Sequence, residues 1–194
     1  MPRQPDPDLE ERILKAAQTL WKRGGDKALT LRAVARNAGT NTPAVYRRFR
    51  NRQELVRGLL LRSVGRIRKS FEEAQSVEEM SEAYVDLALE DPHEFELFYS
   101  HASHFSVAKG SGKSKAIRES RPNFGLVEKR LADRLGGTPA DHTQLALALW
   151  ALMHGTTTLL LLKAIPGHEE ELRSAGRMAV KALIEREAKS AKRK

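Results

Sequence analysis

The stretch TLRAVARNAGTNTPAVYRRFRNRQEL, residues Thr30 to Leu55, has the pattern from which the fold of the N-terminal part of this chain is predicted. Thr30 is suited to cap a short helix that ends near Gly39, and a second short helix is predicted from about Asn41 to Arg48. Two short helices joined by a turn of three or four residues that contains glycine are typical of the DNA-binding helix-turn-helix. The second helix of such a motif enters the major groove.

Apolar and polar side chains divide this motif into a buried and an exposed side. Ala35 and Ala38 are small enough to let the two helices cross closely, and Val34, Val45 and Phe49 are expected to face the core. The side chains expected on or near the exposed side are Thr40, Asn41, Thr42, Ala44, Arg47 and Arg48. Arginine can donate two hydrogen bonds to guanine, methyl groups can touch thymine, and hydroxyls and amides can hold phosphates.

Positive charge is concentrated in the same part of the chain. Residues 1–69 contain 17 Lys and Arg against 6 Asp and Glu, a net charge of +11, whereas residues 70–194 contain 17 against 19, a net of −2. Arg47, Arg48, Arg50 and Arg52 are four of these charges, and Arg52 is expected at the start of a helix, where backbone amides favour a phosphate. The first third is therefore predicted to bind a polyanion.

The rest of the sequence has helical periodicity, and no convincing strand pattern occurs. Asp8 and Glu11 resemble a capping box for a first helix that stops at Gly24 and Gly25. A long fourth helix is predicted from Arg52 to about residue 75, and further helices are predicted at about 77–90, 92–106, 120–136, 140–164 and 168–189. The expected fold is all-α with about nine helices. The expected domains are a DNA-binding head at 1–55, a helical body at 56–189 and a basic tail at 190–194.

Several functional classes are disfavoured by the composition. The chain has no cysteine, which excludes disulfides, thiolate nucleophiles and cysteine zinc sites. Residues 1–12 have no apolar core, so no signal or anchor is expected there and a cytoplasmic protein is predicted. The run from Leu145 to Leu162 approaches the length of a membrane span, but His154, Gly155 and three threonines interrupt it. We expect this helix to be buried in protein on nearly every side, and we expect no membrane partner.

The segment VAKGSGKSKA, Val107 to Ala116, resembles a phosphate-binding loop only in part. Gly112 and the Lys-Ser pair after it match the end of the motif, but Val107 stands where the opening glycine is required and no strand precedes it. A flexible connection between helices explains the same residues. His101 and His104 could share a helix face, but no clear third metal ligand accompanies them. No cofactor, metal or catalytic residue is therefore expected.

The segment LTLRAVARNAGTNTPAVYRRFRNRQELV resembles the DNA-binding signature of the TetR (tetracycline repressor-like) family of bacterial transcriptional regulators. The likeness covers roughly residues 10–60 and includes Tyr46, Phe49 and a basic residue at Arg52, where the family usually has lysine. By this resemblance, Thr30, Tyr46 and Arg52 hold DNA phosphates. The residues that it places closest to the bases are Arg32, Thr42, Pro43, Arg47 and Arg48.

The resemblance also implies a body that binds a small-molecule effector and forms a homodimer through its last two helices. LWALMHG, residues 149–155, resembles the WHG-type C-terminal domain of a subset of this family. The expected small-residue dimer seam is Leu172, Ala175, Gly176, Ala179 and Leu183, although an ordinary core would look similar. Candidate pocket residues, each also compatible with plain core packing, are Tyr84, Phe95, Phe98, Tyr99, Phe105, Trp150, Met153, His154 and Thr157.

These observations predict a homodimeric repressor that binds a near-palindromic DNA operator and is released by a small molecule. Two alternatives remain at this point. One is a DNA-binding protein without sequence preference or ligand, and the other is a nucleotide-dependent enzyme that uses the Gly/Lys/Ser loop.

Overall fold

The computed structural model describes residues 6–100 and 117–191, and within these ranges the backbone consists of helices and the segments that connect them, without a strand. The α-helices are α1 (Leu9–Ala28), α2 (Leu31–Asn37), α3 (Thr42–Arg48), α4 (Arg52–Glu73), α5 (Val77–Glu90), α6 (Pro92–Ser100), α7 (Ile117–Ser120), α8 (Pro122–Leu135), α9 (Thr143–Leu161) and α10 (Glu169–Ala191). A 3₁₀ turn, Pro139–His142, precedes α9.

The all-α prediction is confirmed, and each expected helix has a counterpart in the described ranges. The helix expected at about 120–136 corresponds to α8, and the short helix α7 before it was not predicted. His101, His104, Phe105 and the loop from Val107 to Ala116 lie outside the described residues.

The chain divides into two compact units. The first contains residues 6–65 and 91–100 of the described chain, and the second contains residues 66–90 and 117–191. The predicted boundary at residues 55 and 56 therefore differs from the structural boundary, which falls at residues 65 and 66 inside α4. The reason is that the first half of α4 carries Leu55, Val56, Leu59 and Leu60, all of which are buried. The first unit also includes α6, which the predicted head did not contain.

Contacts between α1 and the start of α6 explain why α6 belongs to the first unit. Trp21 Nε1 donates a hydrogen bond of 2.6 Å to the His93 carbonyl, and Lys22 Nζ lies 2.9 Å from Asp91 Oδ2. The backbone leaves helical geometry at Gly24 and Gly25, as the sequence predicts, and Gly25 has a φ of 58°. This positive φ lies in the left-handed region that favours glycine.

The core of the second unit lies between α5, α8, α9 and α10. Val85, Leu131, Leu149 and Ile184 are among its most buried side chains. Arg173 on α10 binds two carboxylates of α5, with Nη2 2.6 Å from Glu82 Oε2 and 2.7 Å from Asp86 Oδ1. These interactions, mainly the hydrogen bond with Glu82, raise the pKa of Arg173 above its ordinary value. The ion pairs therefore join α10 to α5 beside the apolar core.

The apolar helix of the second unit is less covered than the sequence predicts. The segment Pro139–Leu161 is long and apolar enough to cross a membrane, with a mean hydropathy of 1.3, but a soluble core helix can pass the same test. Only 33% of an apolar 18-residue stretch of this segment is buried in the chain, so the expectation of burial on nearly every side is wrong for the single chain. The exposed residues on one stripe of α9 and its end are Ala148, Ala151, Gly155, Leu159 and Leu162.

Candidate nucleic-acid interface

Two side-chain caps and one glycine shape the helix-turn-helix. Thr30 Oγ1 accepts a hydrogen bond of 3.2 Å from the Ala33 amide at the start of α2, and Asn41 Oδ1 accepts one of 2.9 Å from the Ala44 amide at the start of α3. Each cap satisfies an amide that has no partner within its helix. Gly39 has a φ of 64°, in the left-handed region that favours glycine, and this conformation closes the turn between α2 and α3.

The apolar side of the motif is buried as the pattern predicts. Val34 and Val45 are inaccessible to solvent, and Phe49 is also buried. Ala44, which was expected near the exposed side, is only 4% exposed, so its assignment as a DNA contact is wrong. Ala44 neighbours Val45 on the inner side of α3, where a small side chain allows close packing and the methyl group is covered.

A continuous polar and basic surface remains on the outer side. Tyr46 is 50% exposed although it is aromatic, and Thr40 and Thr42 are half-buried. The other exposed side chains of the predicted contact set are Thr30, Arg32, Asn41, Pro43, Arg47 and Arg48. We call these residues, with Thr40, Thr42 and Tyr46, the recognition surface. The caps on α2 and α3 use the acceptor oxygens of Thr30 and Asn41, so the hydroxyl and amide hydrogens of these residues can still be donated.

Arg52 is engaged within the chain. Its Nε donates a hydrogen bond of 3.1 Å to the Leu29 carbonyl, while its Nη2 donates to the Asp26 carbonyl at 3.1 Å and forms an ion pair with the Asp26 carboxylate. The guanidinium therefore holds the start of α4 against the segment between α1 and α2. A DNA phosphate at this position would have to share the guanidinium with Asp26.

The start of α4 also differs from the predicted open phosphate site. Glu54 Oε2 accepts a hydrogen bond of 2.8 Å from the Arg50 amide, and Asn51 Oδ1 accepts one of 2.9 Å from the Glu54 amide. Two amides that could bind a phosphate are thus satisfied by side chains of the protein. A phosphate would also meet the negative charge of Glu54.

A third acidic residue lies beside the recognition surface. Asp6 Oδ2 lies 2.7 Å from Arg12 Nη1, and the Asp6 carbonyl accepts a hydrogen bond of 3.2 Å from Arg48 Nη2. The hydrogen bond from Arg12 is the main reason why the pKa of Asp6 lies below its ordinary value. Asp8 does not cap α1 with its side chain as predicted, and its amide instead donates to Asp6 Oδ1 at 3.0 Å.

Asp6 and Asp26 were not identified from the sequence. Their arginine partners lie six to 42 residues away along the chain, and no local motif marks such pairs. Gly24 and Gly25 are the nearest sequence signal for Asp26, because they predict the end of the first helix just before it.

The residues proposed for the effector pocket fall into two groups. In the second unit, Tyr84 Oη and His154 Nδ1 lie 3.2 Å apart, and burial lowers the pKa of His154. The Trp150 ring lies 6.2 Å from that of Phe124, and Met153 and Thr157 are buried. In the first unit, the candidates are the α6 aromatics Phe95, Phe98 and Tyr99. Phe95 and Tyr99 have ring centroids 4.8 Å apart. Only the second-unit group contains the polar Tyr84–His154 pair.

The predicted dimer seam lies partly within the chain. Leu172 and Leu183 pack against the core of the second unit, and Gly176 is buried. A Cβ on Gly176 would lie 3.1 Å from two side-chain atoms of Thr156, so this glycine allows α10 to approach α9 of the same chain. Ala179 is half-buried, and Ala175 is exposed.

The geometry defines a class of protein: a helix-turn-helix DNA-binding regulator with a separate helical C-terminal unit. Two family models match the chain. One is described as bacterial regulatory proteins, tetR family, and matches residues 13–59, while the other, the tetracycline repressor-like C-terminal domain, matches residues 77–183. The chain belongs to the TetR family of transcriptional regulators, which are non-enzymatic DNA-binding proteins. The finer WHG-type resemblance stays a prediction.

Solved structures with the same fold accompany these matches. A protein of unknown function from Rhodococcus sp. RHA1 has a TM-score of 0.69 and 22% identity, covering 93% of this chain and 97% of its own. A TetR-like transcriptional regulator from the same organism has a TM-score of 0.60 and 18% identity, covering 95% and 97% respectively. At such identities the likeness supports the fold alone. No curated protein matches the chain.

Proposed function

We propose that this TetR-family regulator is a cytoplasmic repressor that binds a near-palindromic operator as a homodimer and leaves it when a small molecule binds. The observation that carries the DNA-binding part is the outer side of α3. Tyr46, Arg47 and Arg48 are exposed there, while Val45 and Phe49 anchor the same helix in the core. A helix fixed on one side and basic on the other is suited to reading base edges in the major groove.

Uncovered apolar surface in the second unit supports the homodimer. Met178 on α10 is 69% exposed and Leu159 on α9 is 44% exposed. Small neighbours on the exposed sides of the same helices are Ala148, Ala151, Gly155, Ala175 and Ala182. We call these seven residues the dimer face. Two copies of a pair of helices with such a face can bury it in a four-helix bundle.

The two glycines of α9 and α10 differ in a way that favours this face over the seam expected from sequence. The space where a Cβ of Gly155 would lie is open, whereas that of Gly176 is filled by Thr156 of the same chain. Gly155 can therefore let a partner helix approach closely. The proposed interface keeps Ala175 from the predicted seam and uses α9 more extensively.

A two-fold dimer would present two identical recognition surfaces to DNA. The expected operator therefore has two related half-sites whose centres are about one DNA turn, or a multiple of it, apart. Within the second unit, Tyr84, Trp150, Met153, His154 and Thr157 are proposed to contribute to the effector site. A coupling of about 1–3 kcal/mol between the effector and DNA would change operator affinity about 5- to 150-fold.

Selection of bound fragments from random DNA, followed by affinity measurement on the enriched sequence, tests this proposal. A near-palindromic consensus is the expected result. If each of the two recognition surfaces neutralises four or five phosphates, operator affinity should fall about 10³- to 10⁵-fold between 50 and 200 mM salt. An affinity that does not respond to salt would refute DNA binding. Equal affinity for all sequences would favour the non-specific DNA-binding alternative.

A further inference from the structure

A buried carboxylate in the second unit has no role in the proposed dimer or in DNA binding. Glu128 lies on α8 and is only 1% exposed. Thr143 Oγ1 donates a hydrogen bond of 2.5 Å to its Oε1, and the Arg118 guanidinium supplies the compensating charge. A carboxylate removed from water without a cation would be strongly unfavourable, so the position requires a positive partner.

The positive partner of Glu128 comes from the surface. Arg118 Nε lies 3.2 Å from Glu128 Oε2, and Arg118 Nη2 lies 3.4 Å from Oε1, yet 38% of the arginine side chain remains exposed. A Cβ on Gly125 would lie 3.4 Å from Arg118 Cβ, so the arginine passes close over α8 at a residue without a side chain. The ion pair thus has its anion inside the unit and its cation at the rim.

This asymmetry allows the cation to be exchanged. If the Arg118 side chain turned outwards, its guanidinium would become hydrated, and the buried carboxylate of Glu128 would need another cation in its place. A carboxylate surrounded by protein attracts a cation more strongly than one in bulk water. A ligand with the shape and charge of a guanidinium would therefore find a site already formed for it.

A second arginine from the same region, Arg121, lies against an aromatic ring that can attract a cation. The Arg121 guanidinium carbon lies 5.9 Å from the centre of the Trp150 ring, within the range of a cation–π interaction. Phe124 packs against the same tryptophan in an edge-on arrangement. Arg118 and Arg121 both lie just before α8 in the chain, and each occupies a position where an organic cation could bind.

We infer that Glu128 is the recognition carboxylate of the effector site, and that its ligand is an organic cation with a planar amidinium or guanidinium group that displaces Arg118. This inference rests on the proposed function in one respect: it assigns the chemical class of the effector. Ligand binding to the DNA-free protein tests it separately from DNA binding.

Calorimetric titration measures the affinity of the predicted site for benzamidinium. Benzamide has nearly the same shape but no charge, so it is the control ligand. Benzamidinium is expected to bind the wild-type protein, and Glu128→Gln is expected to weaken it at least about tenfold because the carboxylate charge is lost. Arg118→Ala is expected to strengthen binding about fivefold or more, because the competing guanidinium no longer holds the site closed. Benzamide should bind neither the wild-type protein nor either variant measurably.

Arg134→Ala is the matched control, because Arg134 lies on α8, the helix that carries Glu128. Arg134 Nη1 forms an ion pair with Glu78 at 2.7 Å, but the Glu78 side chain is 32% exposed, so this pair is not a closed site. Arg134→Ala should leave benzamidinium affinity unchanged. Benzamidinium, and not benzamide, should also raise the melting temperature of Arg118→Ala more than that of Arg134→Ala, because it replaces the missing charge.

Two results would overturn the inference: equal benzamidinium affinity in the wild-type protein and Glu128→Gln, or equal binding of benzamidinium and benzamide. Should Arg118→Ala fail to fold, the comparison of the wild-type protein with Glu128→Gln decides the question alone. If operator binding is normal and the cation does not bind, the proposed ligand class is wrong and the DNA-binding function stands. If the cation binds and the operator does not, the DNA-binding proposal is wrong and the proposed ligand class stands.

Discussion

Two arginines four positions apart, Arg48 and Arg52, have different surroundings and therefore different expected roles. Arg48 lies exposed at the end of α3, and its Nη2 donates a hydrogen bond to the Asp6 carbonyl and not to the Asp6 carboxylate. Arg52 makes an ion pair with Asp26 and a hydrogen bond to the Leu29 carbonyl. The first side chain can turn towards a base edge by giving up its hydrogen bond to Asp6, whereas the second is fixed to the protein at the start of α4.

We expect Arg48→Ala to reduce discrimination between DNA sequences. A bidentate arginine contact with a guanine contributes about 1–3 kcal/mol of discrimination, and alanine cannot replace it. Fluorescence anisotropy with the selected operator and with single-base variants measures this effect. The mutant should lose more affinity for the operator than for the variants, and a uniform loss across all sequences would contradict a base-reading role.

Arg52→Ala is expected to weaken binding to all DNA sequences about equally and also to lower the melting temperature. The stability loss follows from the contacts with Asp26 and Leu29, which a pure phosphate ligand would not have. Asp26→Asn is the matched variant, because it removes the competing charge and keeps a side chain of the same size. This variant should bind DNA more tightly at low salt, and unchanged affinity would mean that Asp26 does not compete with phosphate.

Local sequence patterns predicted where the helices form. Contacts between residues far apart in the chain determine which unit each helix belongs to. The bounds expected for α5, 77–90, agree with the structure because its apolar periodicity and flanking residues are local signals. The membership of α6 in the first unit could not be predicted, since it depends on contacts such as Trp21 with His93, 72 residues apart. The burial of Ala44 was missed for a related reason: alanine is compatible with both sides of a helix.

The pair of Tyr84 and His154 joins α5 to α9 and predicts a pH dependence of stability. Burial lowers the pKa of His154 in the folded protein, whereas in the unfolded chain it should be about 6.5. Between these two values the unfolded chain binds more protons than the folded protein, so the free energy of unfolding should fall as pH decreases below about 6.5. The decrease should level off below the folded pKa.

Urea denaturation at pH 7.5 and 5.5 measures this dependence. His154→Gln, which has no titrating group, should show a smaller decrease than the wild-type protein. His168→Gln removes an exposed histidine of the same unit and serves as the control. An identical decrease in the wild-type protein and His154→Gln would exclude His154 as the source.

Basic charge and exposed apolar surface are separated along the chain. The basic excess belongs to residues 1–69, whereas exposed apolar side chains of α9 and α10 form the proposed dimer face in the second unit. The family resemblance predicted that the N-terminal part binds DNA and that the C-terminal part forms the dimer. The apolar periodicity predicted the helices α9 and α10. Neither could show which sides of α9 and α10 remain open, because side chains such as Leu172 and Leu183 fit a core and an interface equally well.

Met178→Glu is expected to convert the dimer into a monomer, since it would place two unpaired carboxylates in an apolar interface. The side chain is 69% exposed in the single chain, so the substitution should leave the fold of the monomer intact. Light scattering coupled to size exclusion measures the mass, and circular dichroism checks the helices. Leu61→Glu is the matched control, because Leu61 is 58% exposed but lies in the first unit.

The Met178 variant should lose affinity for the full operator while its affinity for an isolated half-site stays unchanged, because each recognition surface remains whole. A variant that stays dimeric with full operator affinity would place the interface elsewhere.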